Sequence, residues 1–287
     1  MTTTHSESSW RLSVRDFASH RMGLVGVAIL VIFILFCFVG PLIYRTEQVF
    51  ADPLQSSQPP SAEHWLGTDT AGFDVLGRLM EGGQSALLIG FLAAFIATVI
   101  GTVFGAVAGL VGGFVDGFMM RAVDILLAIP FLFVVLILAT KYQGTVVSLS
   151  FVIGLFAWLV PARLVRGEVL SIRERDYVLA AQVMGSGKAR IVRRHLIPNA
   201  LSVVIVNVTF QLADGVLVVA YLGFLGFGLA YPEVSWGDML AGAQDQLANG
   251  NWWLVYPVGG CLVLVVLAAN FVGDALRDTF DVRLRRR

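Results

Sequence analysis

Six stretches of this chain are apolar for long enough to cross the hydrocarbon core of a bilayer, which takes about 20 residues of α-helix. They run over Gly23–Tyr44, Ser85–Val111, Phe118–Thr140, Val146–Val165, Leu201–Gly228 and Leu254–Gly273. The pattern predicts an all-α polytopic membrane protein with six transmembrane helices. In the second run Ala93, Ala97, Gly101, Gly105, Gly109 and Gly113 recur at every fourth position. On a helix they form one smooth strip where another helix can approach closely, within the subunit or from another. Pro130 predicts a kink in the third run, tolerable where protein surrounds it. Between the first two runs, Pro53, Pro59 and Pro60 exclude regular helix. Thr68 or Asp69 is then expected to cap a helix beginning near Thr70. Ahead of the first run, Trp10, Val14 and Phe17 oppose Arg11, Arg15 and Arg21, giving either an interfacial helix or a frayed tail.

Composition agrees with the pattern. Only 14% of residues are charged, against roughly 25% in soluble domains, and mean hydropathy is +0.79. The net charge of zero conceals its distribution. With both termini cytoplasmic, 17 of the 20 Lys and Arg residues fall on the inner side, as the positive-inside rule requires. This orientation gives an N-terminal segment (1–22), a transmembrane domain (23–273) and a basic cytoplasmic tail (274–287). Loops 45–84 and 229–253 are external, and loop 163–199 is cytoplasmic. The first run is too long for a signal-peptide core, with no small-residue cleavage site after it, and is retained as a span. Cys37 and Cys261 lie inside apolar runs and read as small apolar residues, without disulfide or metal site.

Three polar residues stand inside the fifth run. Asn207, Gln211 and Asp214 occupy i, i+4 and i+7 and share one helix face. They are candidate pathway-lining residues, or they hydrogen-bond between helices. Gly223–Gly228 marks a bend or a tight contact at the end of this run. The loop at 229–253 has no Lys or Arg but carries Glu233, Asp238, Asp245, Trp236, Trp252 and Trp253. It either docks a partner or rests at the membrane interface. No catalytic residues are assigned. His64, Asp69 and Asp74 cluster without forming a nucleophile, base and orienter. The Gly187-Lys188 pair is not a P-loop, because Gln182 stands where the first Gly belongs and Ala189 lacks the hydroxyl.

The most informative segment is the polar island Arg163–Asn199, which holds eight of the twenty Lys and Arg residues. Tyr177, Val178, Ala180, Ala181, Val183 and Met184 follow Asp176 at helical spacing. The helix is interrupted at Gly185 and Gly187, and a second short one (Ala189–His195) returns the chain to the membrane before Pro198. The product is a helix–turn–helix finger with small residues exposing backbone, suited to a groove on another protein.

These residues resemble a known pattern. Asp176, Tyr177, Val178, Ala180, Ala181, Gly185, His195, Pro198 and Asn199 are similar to the EAA loop of ABC importer permeases. Further matches lie at His64–Asp69, at Asp116 and Asp124 before Ile129-Pro130, at Ala162–Glu168, Phe224–Gly226, Ser235–Gly237, and at Gly273-Asp274 with Leu276–Asp278. Together they resemble the second permease subunit of the dipeptide, oligopeptide and nickel importers. The chain departs from that pattern at Phe73, Gly77, Gln84 and Gly223, where the family usually has Arg, Ser, Arg and Ser at or near these positions. The resemblance implies a non-catalytic subunit that pairs with a homologous second permease in a prokaryotic plasma membrane. The finger Asp176–Pro198 is then expected to enter a cleft on one of two ATP-binding subunits. A substrate-binding protein is expected to deliver the solute: peptides first, with nickel and other small solutes open. ATP and Mg are expected on the partner ATPases, with no cofactor on this chain and no nucleic acid. An ion-coupled secondary transporter or channel using Asp214 is the alternative, but it gives the finger no role.

Overall fold

The computed structural model describes residues 15–142 and 144–285, without the side chains of residues 182, 188, 189, 193, 195, 198, 199 and 281–285. The N-terminal segment, read as an interfacial helix or a frayed tail, falls outside the described residues up to residue 14, and residues 15–18 are helical. Among the described residues the fold is all-helical, with one isolated bridge between Thr68 and Asp74. In chain order the helices are α1 (Arg21–Phe38), α2 (Gly40–Ile43), α3 (Val75–Val111), α4 (Gly113–Leu127), α5 (Phe131–Ala139) and α6 (Val146–Ala157). There follow α7 (Leu159–Arg173), α8 (Asp176–Val183), α9 (Lys188–Ile191), α10 (Ile197–Phe224), α11 (Trp236–Ala243) and α12 (Tyr256–Arg285).

Four segments are long and apolar enough to cross a membrane: Arg21–Ile43, Val75–Val111, Ala200–Phe224 and Trp252–Phe280. Two bent pairs, α4 with α5 at 73° and α6 with α7 at 43°, bring the total to six if each pair is one span. Both bends trace to proline. The first falls directly before α5, where Pro130 stands at the N-cap, as the sequence predicts. The second reflects Pro161, which has no N–H to give the Ala157 carbonyl one turn earlier. That carbonyl instead accepts from Gln211 Nε2 at 2.9 Å.

α3 is the hub, packed against α7, α10 and α6. Its small-residue strip is an internal seam. A methyl group at Gly101 would meet the Trp158 carbonyl at 2.8 Å and one at Gly109 would meet Val169 at 2.9 Å, while one at Gly105 would strike the Ala162 carbonyl. The strip ends before Gly113, because Gly112 adopts φ +70° and closes α3. The helix also starts later than expected. Its cap is Asp74, which accepts from Gly77 N at 2.8 Å, rather than Thr68 or Asp69. The reason is a tight turn with Gly72 at φ +89°, in which Asp69 accepts from Ala71 N and Phe73 N. Asp69 caps that turn and is not free to cap the helix.

At the end where α3 begins, two tryptophans hold the loops onto the bundle. Trp236 is fully buried and its Nε1 donates to the Leu79 carbonyl at 2.9 Å. Trp253, also buried, points its Nε1 at the Thr68 carbonyl, 3.3 Å away. These two rings are structural, and Trp252 remains on the surface. The departures from the family pattern concentrate here. Gly77 leaves room for Thr46 and Gln48, and Gly223 for Ser235 and Asp238. Gln84 Nε2 donates to the Cys37 carbonyl at 2.6 Å.

Candidate coupling finger and membrane cavity

The finger begins where α7 leaves the bundle. Val178 is fully buried and packs with Val165, Val169, Ile172, Ile191 and Leu196. This apolar anchor seats α8 against α7 and the start of α10. The two alanines differ, Ala181 being buried and Ala180 exposed, so only one of them opens backbone to the surface. Asp176 and Tyr177 are exposed at the start of α8. At its end, Gly185 takes φ +80° and Ser186 N donates to the Ala181 carbonyl at 3.0 Å. This is the Schellman closure that a left-handed glycine permits. The turn lifts Val183 and Met184 to the tip, 89% and 79% exposed. The return path is α9 followed by a π-helical turn, Val192–Leu196, that runs into α10. A widened turn accommodates Pro198, which cannot donate to the preceding turn. The side chains of His195 and Pro198 lie outside those described.

Ion pairs tie α7, which carries the finger, to the neighbouring span. Arg166 meets Asp116 through two contacts of 2.5 and 2.7 Å, and Arg163 pairs with Asp124. Arg173 Nη1 donates to the Gly109 carbonyl at 2.5 Å, closing off the end of α3. Sequence reasoning saw these residues only as motif letters. The available signal was that charged residues at the edges of apolar runs need partners, and two Asp stood about the start of the third run and two Arg about the end of the fourth.

Beneath this end, among the spans, lies a cavity of about 640 Å³. Its wall includes Ile129 and Pro130 at the helix break, Phe131, and Asn207, Gln211 and Asp214 of α10. The three polar residues suggested by the sequence therefore reach the same space. They are not equivalent. Gln211 spends its amide nitrogen on Ala157, whereas Asp214 is exposed and has no ion-pair partner among the described residues. Asn207 keeps a buried Oδ1 without a donor among the described residues.

The His64 cluster has no catalytic arrangement. Its Nδ1 lies 2.9 Å from Asp74 Oδ2 and its Nε2 lies 2.8 Å from Gln55 Oε1. Tyr44 Oη donates to the same Asp74 oxygen at 2.8 Å. Both ring nitrogens are used in fastening the loop to the cap of α3. Nearby, Asp69 contacts Arg78 Nε at 3.2 Å, and that guanidinium lies 3.9 Å over the Phe73 ring. No group of metal-ligating side chains occurs among the described residues.

Comparison with known proteins agrees with this arrangement. Residues 101–286 match the family described as binding-protein-dependent transport system inner membrane component. Residues 8–60 match the N-terminal TM domain of oligopeptide transport permease C. The oligopeptide transport system permease protein OppC of Salmonella typhimurium is 40% identical over 280 residues, covering 97% of this chain and 92% of that protein. OppC of Bacillus subtilis is 34% identical over 281 residues, covering 98% and 92%. The dipeptide transport system permease protein DppC of Alkalihalophilus pseudofirmus is 34% identical over 283 residues, covering 97% and 91%. An ion-coupled secondary transporter is thereby set aside. The full-length similarity, the finger and the helical bundle lead to one conclusion: this chain belongs to the OppC/DppC permease family of binding-protein-dependent ABC transport systems, as a non-catalytic, multi-pass inner-membrane component.

Proposed function

We propose that this chain forms half of a peptide-import pathway and receives its drive through the finger Asp176–Pro198. The observation that carries this reading is the finger's construction. A buried Val178 anchor holds a helix whose closing turn exposes Val183 and Met184. Apolar side chains on a rigid, glycine-closed tip suit a groove on a partner. The partner is an ATP-binding subunit, and ATP with its Mg resides there. Two such subunits serve this chain and a homologous second permease. An external substrate-binding protein supplies the solute, and both termini face the cytoplasm. The peptide class is supported by the relatives, which are named for oligopeptide and dipeptide transport. The cavity beside Asn207, Gln211 and Asp214 supports a pathway at the face shared by the two permeases.

Gly185 tests the finger. Its φ of +80° disfavours any side chain, and the space around its Cβ position is open within this chain. Gly185→Asp places a charged group at the proposed interface. Uptake is expected to vanish while the subunit remains in the membrane at normal level. Normal peptide uptake by that variant contradicts the reading.

A further inference from the structure

We infer that Asp214 makes the cavity selective for cargo carrying positive charge, which rests on the reading of this chain as half of a peptide pathway. Among the described residues, the cavity of about 640 Å³ is lined by one carboxylate and by no Lys, Arg or His. Asp214 is exposed toward this space. Its depth removes bulk water as an easy source of solvation. It stands sixteen residues along the helix from Pro198, about 24 Å at the rise of an α-helix. An ionisable group at such depth faces a cavity and marks the route of a solute.

The neighbouring side chains favour the same charge. Phe210 precedes Asp214 by four residues and Tyr221 follows it by seven, so all three share a helix face, and each lines the cavity. Aromatic rings attract cations through their faces. Gln211, which could have donated to the carboxylate's surroundings, has its amide nitrogen committed to the Ala157 carbonyl. The α10 wall therefore offers a negative charge and the Tyr221 ring, with no cation among the described lining residues to neutralise them; the tip of the Phe210 ring rests against Gly273 of α12. A passing ammonium or guanidinium finds a counter-charge there, and a carboxylate meets repulsion. The positive charge in question is that of a cationic side chain on the cargo, since a free amino terminus is common to peptides of either charge.

The test uses the whole transporter in proteoliposomes, with ATP inside and binding protein outside, preloaded with Ala-Lys-Ala or Ala-Glu-Ala. Uptake is counted per loaded binding protein, which removes that protein's own preference. The two peptides carry different isotopes and compete in the same vesicles, so their ratio does not depend on the amount of folded complex. The Lys-to-Glu uptake ratio is expected to fall about tenfold in Asp214→Asn, the scale of one close charge contact, and to recover in Asp214→Glu. N-acetyl-Ala-Lys-Ala competed against N-acetyl-Ala-Glu-Ala repeats the comparison without the amino terminus that both peptides share, and the same fall is expected. An unchanged ratio in Asp214→Asn, with both peptides imported, overturns the inference alone. Import of neither peptide by the wild-type transporter while it hydrolyses ATP overturns the peptide reading and the inference with it.

Discussion

Gly105 and Gly117 are both helical glycines, and the chain treats them oppositely. A methyl group at Gly105 would strike the Ala162 carbonyl, whereas none of the described atoms lies within 4 Å of one at Gly117. Gly105→Ala is expected to destabilise the bundle by about 1–3 kcal/mol, the usual cost of overpacking. Gly117→Ala should stabilise it by about 0.5–1 kcal/mol through helix propensity. Thermal unfolding of the detergent-purified complex distinguishes the two, and equal shifts would mean that the seam between α3 and α7 is not close-packed. The seam was legible because fourfold spacing of small residues has one geometric meaning on a helix. The Asp74 cap was not, because four residues able to cap, Thr68, Asp69, Thr70 and Asp74, stood within seven positions. What decided among them was a turn through Gly72 that only the three-dimensional path reveals.

Between elements, the decisive contacts join residues distant in sequence. Arg166 and Asp116 are partly buried, with side chains 32% and 12% exposed, while Arg163 and Asp124 are 48% and 47% exposed. Removing one partner of the first pair strands a shielded charge. Arg166→Ala should therefore cost about 1–3 kcal/mol, and Arg163→Ala less than about 1 kcal/mol. Comparing the melting midpoints of the two variants checks this, and an equal effect would place both pairs in the same solvent environment. Gln211 offers a second case. Gln211→Leu leaves the Ala157 carbonyl unsatisfied at the Pro161 bend, with an expected loss of about 1–3 kcal/mol in the same assay. The spans, the Pro130 break and the finger were readable from hydropathy and punctuation. The partition of the polar face on α10 was not. Periodicity put Asn207, Gln211 and Asp214 together, but it could not tell which would bond across to α6 and which would face open space.

At the scale of the whole molecule, the account rests on the finger lying in the cytoplasm against an ATP-binding subunit. The chain has only two lysines, Lys141 between spans three and four and Lys188 in the finger. A membrane-impermeant amine reagent applied to intact cells should label Lys141 and leave Lys188 unmodified; the reverse pattern would invert the proposed orientation. The family and its bundle were legible in the sequence over almost its full length. The solute is less so, because in the proposed arrangement its route is shared with a second permease. The most direct measurement places a photoreactive residue at Met184, on the exposed tip, in cells that carry the whole transporter. The account predicts a cross-linked adduct with an ATP-binding subunit, absent when the same residue replaces Trp252 at the opposite end. An ATP-binding subunit captured from Trp252 and not from Met184 would contradict it.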